Sequence, residues 1–274
     1  MVPENWIATA PLATTRGGEG EPLLLIHGLG SSRTIWDRVR PRLEERYDVI
    51  AVDLPGFGEQ PWFTEPVPAA MQSLASAVEA ELDRLGIARP YVVGHSMGGW
   101  ISLEISRRGR SRDTIALDPV GGSSSSEAFR SRMNLKMSRI GARATVRWAD
   151  QIANNGVLRR IGFSGTATHP ERIDPADAAR GIRHMAGSTG FEKVVNDVGG
   201  GDRLFERNRE RFSEIDCRVL IVFGDKDRVI SPNGGPRLVS VIPNAELLVL
   251  RDAGHTPQLD QPEVVTDLIL ERFG

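Results

Sequence analysis

Blocks of apolar and polar positions alternate along this chain of 274 residues. Short apolar runs of strand length recur, and the segments between them space their apolar residues as helices do. The runs are continuous, which is typical of strands covered on both faces of a parallel sheet. They are LLLI (23–26), VIAV (49–52), YVV (91–93), TIAL (114–117), VLIVF (219–223) and LLVL (247–250).

Helical spacing separates these runs, so the chain reads as strand and helix in turn. This alternation predicts an α/β fold with a mostly parallel, doubly wound sheet. Residues 5–16 are predicted to add a less regular edge hairpin. The predicted helices span about 34–46, 71–85, 97–108, 235–241 and 262–272.

The alternation breaks once, between Asp118 and about Phe212, where no strand-like run occurs. The segment GGSSSS (121–126) opens this stretch and is typical of a flexible connection. From Ser123 to Phe212 there are 16 Lys and Arg against 10 Asp and Glu, a net +6, so a total of -2 leaves -8 for the remainder. Such a shift between strands of one sheet predicts an inserted helical cap. The predicted boundaries are 121–212 for the cap and 1–120 with 213–274 for the core.

Composition excludes several classes of function. A hydrophobic share of 40% and a net charge of -2 are ordinary for a globular protein and indicate no nucleic-acid partner. No apolar run approaches the ~20 residues of a spanning helix, and no signal peptide is recognisable at the start. We therefore expect a cytoplasmic protein without stable membrane association. The single cysteine, Cys217, precedes an apolar run and is interpreted as a core residue.

The segment VVGHSMGGW (92–100) places Ser96 between a predicted strand and a predicted helix. A serine hydroxyl is a poor nucleophile unless a base lies beside it and the chain presents it to substrate. A very tight turn achieves this presentation, and Gly94 and Gly98 remove the side chains that would collide there. The turn also directs Ser96 to a helix N-terminus, where the N–H of Met97 suits a developing oxyanion.

Together with this turn, five segments resemble the α/β-hydrolase fold family, in the family's order and over nearly the whole chain. The resemblance implies that family's fold with a helical cap, and a serine hydrolase that needs no metal or organic cofactor. The segments are HGLG (27–30), DLPGFG (53–58), GHSMGG (94–99), GDKDRVI (224–230) and DAGHTPQLDQPE (252–263).

The resemblance also implies site residues. His255 follows the last strand, at the end of a sheet where functional groups gather, and is predicted to be the base. The GDKD match favours Asp227 as the acid that orients it, with Asp118 as the alternative. The family match nominates the N–H of Leu29 as the second oxyanion donor. His27 and His95 are interpreted as structural.

The predicted reaction is hydrolysis of a small-to-medium carboxylic ester through an acyl-enzyme. The family resemblance also allows a C–C bond hydrolase, a lactonase, a thioesterase, a lyase or a perhydrolase on the same triad, so these alternatives stay open. A non-catalytic ligand receptor on this fold is the alternative of a different class. The oligomeric state is left open.

The cap carries an apolar stripe at helical spacing beside a basic one. We predict that the apolar stripe contacts a largely apolar small-molecule substrate, whereas the basic stripe is either solvated or attracts an anionic substrate. Phe163, Met185 and Phe191 are further candidates, with packing inside the cap as an equal alternative. The predicted substrate-binding residues are Trp100, Met133, Met137 and Trp148, and core packing is the alternative for Trp100. The apolar stripe is Met133, Met137, Ile140, Ala144 and Trp148, and the basic one is Arg132, Lys136, Arg139, Arg143 and Arg147.

Overall fold

A computed structural model describes residues 10–64, 66–67 and 70–274, and within them every predicted apolar run forms a strand. The seven strands of the described residues are β1 (Thr14–Gly17), β2 (Glu21–Ile26), β3 (Tyr47–Val52), β4 (Tyr91–His95), β5 (Asp113–Leu117), β6 (Arg218–Gly224) and β7 (Ala245–Leu250). They form one sheet in the order β1-β3-β2-β4-β5-β6-β7. All neighbouring pairs are parallel except β1 with β3. The predicted α/β fold class is confirmed.

Twelve α-helices lie in the described residues: α1 (Arg40–Leu43), α2 (Ala70–Arg84), α3 (Met97–Arg107), α4 (Ser125–Thr145), α5 (Ala149–Asn154), α6 (Gly156–Phe163), α7 (Pro175–Gly187), α8 (Phe191–Val198), α9 (Gly201–Phe212), α10 (Gly234–Val239), α11 (Pro257–Asp260) and α12 (Pro262–Phe273). Three short 3-10 helices span Arg33–Trp36, Val146–Trp148 and Pro170–Arg172. No helix of this part of the chain is long and apolar enough to cross a membrane.

The N-terminal part of the chain bears on two predictions, the helix over 34–46 and the edge hairpin. The single helix expected over 34–46 is wrong, because the chain forms a 3-10 helix at Arg33–Trp36 and the one-turn α1 instead. Pro41 stands in the first turn of α1, where its ring prevents a helix from continuing through it. An edge hairpin was expected over residues 5–16. The end of that range belongs to β1, which pairs antiparallel with β3, and residues 5–9 lie outside the described residues.

The continuous apolar runs of β2 to β6 are buried on both faces, as their pattern indicates. For the edge strand β7 this expectation is wrong, because Leu247 and Val249 are exposed at this edge of the sheet. One core cluster joins β2–β6 with α2, α3, α8 and α9. A second lies on the other sheet face, between the strands and α12. Both faces are therefore covered, and the loops after the strands meet at the carboxyl edge of the sheet.

Six helices, α4 to α9, stand between β5 and β6, where the cap was predicted. They divide into two groups by what they pack against. Phe191 and Val195 of α8 and Phe212 of α9 belong to the main core, whereas α5 and α7 share a small alanine-rich cluster with Ile173. The boundaries 121 and 212 stay a prediction, because the last third of the inserted segment is packed as core.

Candidate active site

The turn after β4 holds Ser96 in a backbone conformation that few residues adopt, with φ 56° and ψ -114°. Its N–H donates to Leu117 O at 2.8 Å. A Cβ added to Gly94 would lie 2.1 Å from Gly98 O, and one added to Gly98 would lie 2.4 Å from Ile26 O. Only glycine fits at both positions, so the turn presents Ser96 at the carboxyl edge of the sheet.

The three side chains predicted for the triad meet at this edge, from the loops after β4, β6 and β7. Ser96 Oγ lies 3.1 Å from His255 Nε2, and His255 Nδ1 lies 2.7 Å from Asp227 Oδ2. The three residues are only 5–8% exposed. Since Nδ1–H donates to the carboxylate, Nε2 is left to accept the serine hydroxyl. In this arrangement His255 can take the proton of Ser96.

Backbone donors fix the carboxylate of Asp227. Its Oδ1 accepts the N–H groups of Val229 at 2.7 Å and Ile230 at 2.9 Å. With His255, three donors converge on this group, which stabilises its charge and fixes its orientation. The neighbouring Asp225 is exposed, and within the described part of the chain its side chain accepts a single long bond, from the N–H of Ala253 at 3.3 Å.

The two N–H groups predicted as oxyanion donors flank the serine. Met97 is the first residue of α3, and Leu29 lies in the loop after β2. A Cβ on Gly28 would be 3.0 Å from Ser96 Cβ, so that loop lies directly against the serine. Among the described residues, no protein acceptor receives either N–H. Both therefore stay free for a substrate oxygen, in keeping with their predicted role.

The loop that carries His255 is held by two further residues. His95 Nε2 lies 2.6 Å from the carbonyl oxygen of His255, and the N–H of Thr256 donates to Thr166 O at 3.1 Å. A Cβ on Gly254 would be 2.8 Å from the same Thr166 oxygen. The cap thus contacts the chain on both sides of His255. Thr166 lies in none of the sequence motifs that predict the site, so no signal in the sequence identifies it.

Two buried histidines beside the site are neutral. Burial lowers the pKa of His95 well below its ordinary value, so its Nε2–H donates to the carbonyl of His255. Burial, partly opposed by the charge of Asp53, lowers the pKa of His27 to about 4. The His27 Nδ1–H donates to Gly28 O at 2.8 Å, and Nε2 accepts the N–H of Leu54 at 3.0 Å. His27 therefore ties the loop after β2 to the loop after β3.

Asp118, the alternative acid, lies next to the triad without joining it. Its Oδ1 accepts the N–H of Gly224 at 2.9 Å, and the side chain makes no hydrogen bond to His255 among the described residues. Nitrogen and oxygen atoms of His95, Asp118 and His255 lie within 4.8 Å of one another, a spacing that metal ligands also show. Both ring nitrogens of His255 are engaged by Ser96 and Asp227, however, so this donor set does not fit a metal ion.

The predicted substrate-binding residues lie in two different surroundings. Trp100 is fully buried and packs against Phe212, because α3 turns this face toward α9, which agrees with the alternative of core packing. Met133 and Met137 of α4 are 45% and 57% exposed, because α4 packs through its opposite side. Trp148, in the 3-10 helix that follows, is 43% exposed. Their role as substrate contacts stays a prediction.

One member of the basic stripe, Arg139, is buried in the protein. Arg139 is 3% exposed and donates to the carbonyl oxygens of Met185 and Ser188, both at 2.6 Å. Its guanidinium lies 4.7 Å from the ring centroid of Phe191. Met185 in turn contacts the loop after β2, since a Cβ on Gly30 would be 2.6 Å from its sulfur. Arg139 thus holds the part of the cap that contacts the loop after β2.

A cavity of about 450 Å³ lies between the cap and the loop after β6. Arg160, Lys226 and Arg228 are among the residues that line it, and Ser96 is not. The cavity therefore lies outside the triad, on the side of the Asp227 loop. Its cations are exposed, and Lys226 pairs with Asp252.

The fold and this geometry agree with sequence comparison. A family model described as the alpha/beta hydrolase family matches residues 23–268. The chain belongs to the alpha/beta hydrolase family. It is an enzyme of the hydrolase class.

Three known proteins illustrate this relationship. The chain is 26% identical over 262 residues to the dihydrolipoyllysine-residue acetyltransferase component of the acetoin cleaving system of Cupriavidus necator, covering 94% of this chain and 65% of that protein's length. It is 26% identical to the 2-hydroxy-6-oxononadienedioate/2-hydroxy-6-oxononatrienedioate hydrolase of Escherichia coli, over 92% of this chain and 87% of that one. A thermophilic esterase from Thermogutta terrifontis superposes with a TM-score of 0.68 at 28% identity, over 96% of this chain and 92% of that one.

Proposed function

We propose that this alpha/beta hydrolase is a serine hydrolase that cleaves a small-to-medium carboxylic ester through an acyl-enzyme. The observation that carries the proposal is the continuous hydrogen-bond chain Ser96–His255–Asp227, with distances of 3.1 and 2.7 Å. The similarity to a solved esterase over 96% of this chain supports the same bond type.

Each residue has one step in this mechanism. His255 takes the proton of Ser96 as Ser96 Oγ attacks the carbonyl carbon, and the N–H groups of Leu29 and Met97 stabilise the oxyanion. His255 then protonates the leaving alcohol and later activates the water that releases the acid. Asp227 stabilises the imidazolium that forms in both halves of the reaction.

The first test is the intact mass of the protein after exposure to a fluorophosphonate. We expect one adduct per chain on the wild type and none on Ser96→Ala. The exposed Ser126 provides a matched control, and Ser126→Ala should be labelled like the wild type. A folded wild type that takes no adduct would overturn the proposal and favour a ligand receptor.

Hydrolysis of a C–C bond is the second candidate. One observation favours it, the 26% identity with a hydrolase whose named substrates are dienedioates and trienedioates. Residues 125–163 of the cap carry eight Lys and Arg against two Asp and Glu, a balance that suits a dianionic substrate. Parallel assays with p-nitrophenyl esters and a 2-hydroxy-6-oxodienedioate decide between the two. A kcat/KM that is at least tenfold higher for the dienedioate would replace the ester assignment.

A further inference from the structure

Asp118 is a buried carboxyl group that the proposed mechanism does not use. It directly follows β5, is 1% exposed and has a φ of 46°. Its backbone N–H donates to Val222 O of the neighbouring strand at 2.7 Å. Aspartate and asparagine tolerate this left-handed conformation better than most residues. The conformation holds the carboxyl group between the ends of β4 and β6.

The surroundings of Asp118 provide too few hydrogen-bond donors for a second charge. Its Oδ1 accepts the N–H of Gly224, whereas its buried Oδ2 has no donor among the described residues. Three titratable groups face it: His95 at the end of β4, Asp227 in the loop after β6 and His255 after β7. No lysine or arginine of the described residues forms an ion pair with it.

Asp118 and Asp227 lie beside the same histidine: an Asp118 carboxyl oxygen is within 4.8 Å of a His255 ring nitrogen, and His255 Nδ1 is 2.7 Å from Asp227 Oδ2. The two carboxyl groups interact with each other. Two ionised carboxylates in contact and away from water repel each other, so such a pair shares one proton. The donors decide which group is charged. Asp227 accepts bonds from Val229, Ile230 and His255, against one donor for Asp118. The charge therefore resides on Asp227 and the proton on Asp118.

We propose that Asp118 is a protonated carboxylic acid at neutral pH and donates a hydrogen bond from Oδ2 to the carboxylate of Asp227. It is then a positioning residue, which acts on His255 only through Asp227. This inference rests on the proposed triad. It explains why Oδ2 lacks a donor, since the proton on Oδ2 makes this oxygen itself the donor.

Electrostatics supports this assignment of the proton. Burial, reinforced by the negative charge of Asp227, raises the pKa of Asp118 well above its ordinary range. Its role therefore differs from that of an alternative triad acid, which must be ionised to stabilise a histidinium. An asparagine at position 118 distinguishes the two roles. Its amide can donate a hydrogen bond, so it can replace a protonated acid, but it cannot carry a negative charge, so it cannot replace a triad acid.

The test compares Asp118→Asn with Asp118→Gly in the full chain. Both residues adopt the required backbone conformation, but only the amide can accept from Gly224 and donate to Asp227. We expect Asp118→Asn to stay within about threefold of the wild-type kcat with an unchanged acidic limb of the pH–rate profile. Asp118→Gly should lose about 10–100-fold in kcat, as expected for a lost hydrogen bond to a charged group.

Infrared difference spectroscopy of the resting enzyme provides a readout that needs no turnover. Protein labelled with ¹³C-aspartate should show a protonated carboxyl band at pH 7 that is lost in Asp118→Asn. The exposed Asp225 is the matched control, and Asp225→Asn should keep the band.

Three results would overturn the inference: no Asp118 band at pH 7, an Asp118→Asn variant as impaired as Asp118→Gly, or an Asp118→Gly variant as active as the wild type. If Asp118→Gly does not fold, the band and Asp118→Asn still decide. A band without any fluorophosphonate adduct would reject the serine hydrolase and keep the protonated Asp118.

Discussion

The carboxyl edge of the sheet and helix α4 of the inserted segment both bury polar residues, but α4 does so while its apolar residues are exposed to solvent. At the edge, the polar Ser96, Asp227 and His255 are each less than 10% exposed, and hydrogen bonds join them. On α4, Met137 is 57% exposed whereas Arg139 is 3% exposed. Burial therefore follows the available hydrogen-bond partners more closely than it follows the polarity of the residue.

The variant with the largest expected effect tests whether catalysis depends on the hydrogen-bond chain at the carboxyl edge. Asp227→Asn keeps the size of the side chain but removes the charge that stabilises the histidinium, so we expect kcat to fall by about 10⁴-fold. Steady-state assays with a p-nitrophenyl ester measure this loss, with Asp225→Asn as the control that stays near wild type. A loss of less than tenfold would mean that Asp118 supplies the acid, and Asp227 would lose its assigned role.

The carboxyl edge was largely predictable because backbone geometry determines it. A continuous apolar run predicts a buried parallel strand, and Gly94 and Gly98 report a turn that no side chain could enter. The order of Ser96, Asp227 and His255 along the chain then identifies which loops meet. The bond from Thr256 to Thr166 was not predictable, since a backbone contact between distant loops leaves no pattern in the sequence.

The cap was predictable as helix but not in its orientation. Ser124 and Glu127 form a capping box at the start of α4, and the apolar spacing correctly indicates a helix. Helical spacing shows that one side differs from the other, but it does not show which side meets the protein. Here the carbonyl groups of Met185 and Ser188 draw Arg139 inward, and the apolar stripe faces solvent as a result.

The variant with the second-largest expected effect tests whether α4 is stabilised by the buried Arg139 and not by its exposed apolar stripe. Arg139→Met keeps an apolar stem but leaves one buried and one partly buried carbonyl group without their donor, so we expect a loss of about 2–3 kcal/mol in the free energy of unfolding. Met137→Ser, on the same helix, should change it by about 0.5 kcal/mol or less, because the position is exposed. Urea denaturation of both variants measures the difference. The interpretation is wrong if Met137→Ser proves the more damaging of the two.

The smallest effect concerns the buried histidines of the carboxyl edge and depends on pH. The pKa of His27 is about 4 in the folded chain, against about 6.5 when unfolded. A depressed pKa contributes stability that is present above pH 6.5 and is lost as the pH falls toward 4. The cause is burial of the ring, which disfavours the charged form. A proton on Nε2 would also displace the N–H of Leu54. Between pH 6.5 and 5.5 this linkage removes about 1 kcal/mol. His95, whose pKa is lowered in the same direction, adds to the loss.

His27→Gln should therefore show a shallower fall of the free energy of unfolding over this interval than the wild type. Equal slopes for the two proteins would show that His27 binds protons equally in the folded and unfolded chains, so that burial does not keep its ring neutral.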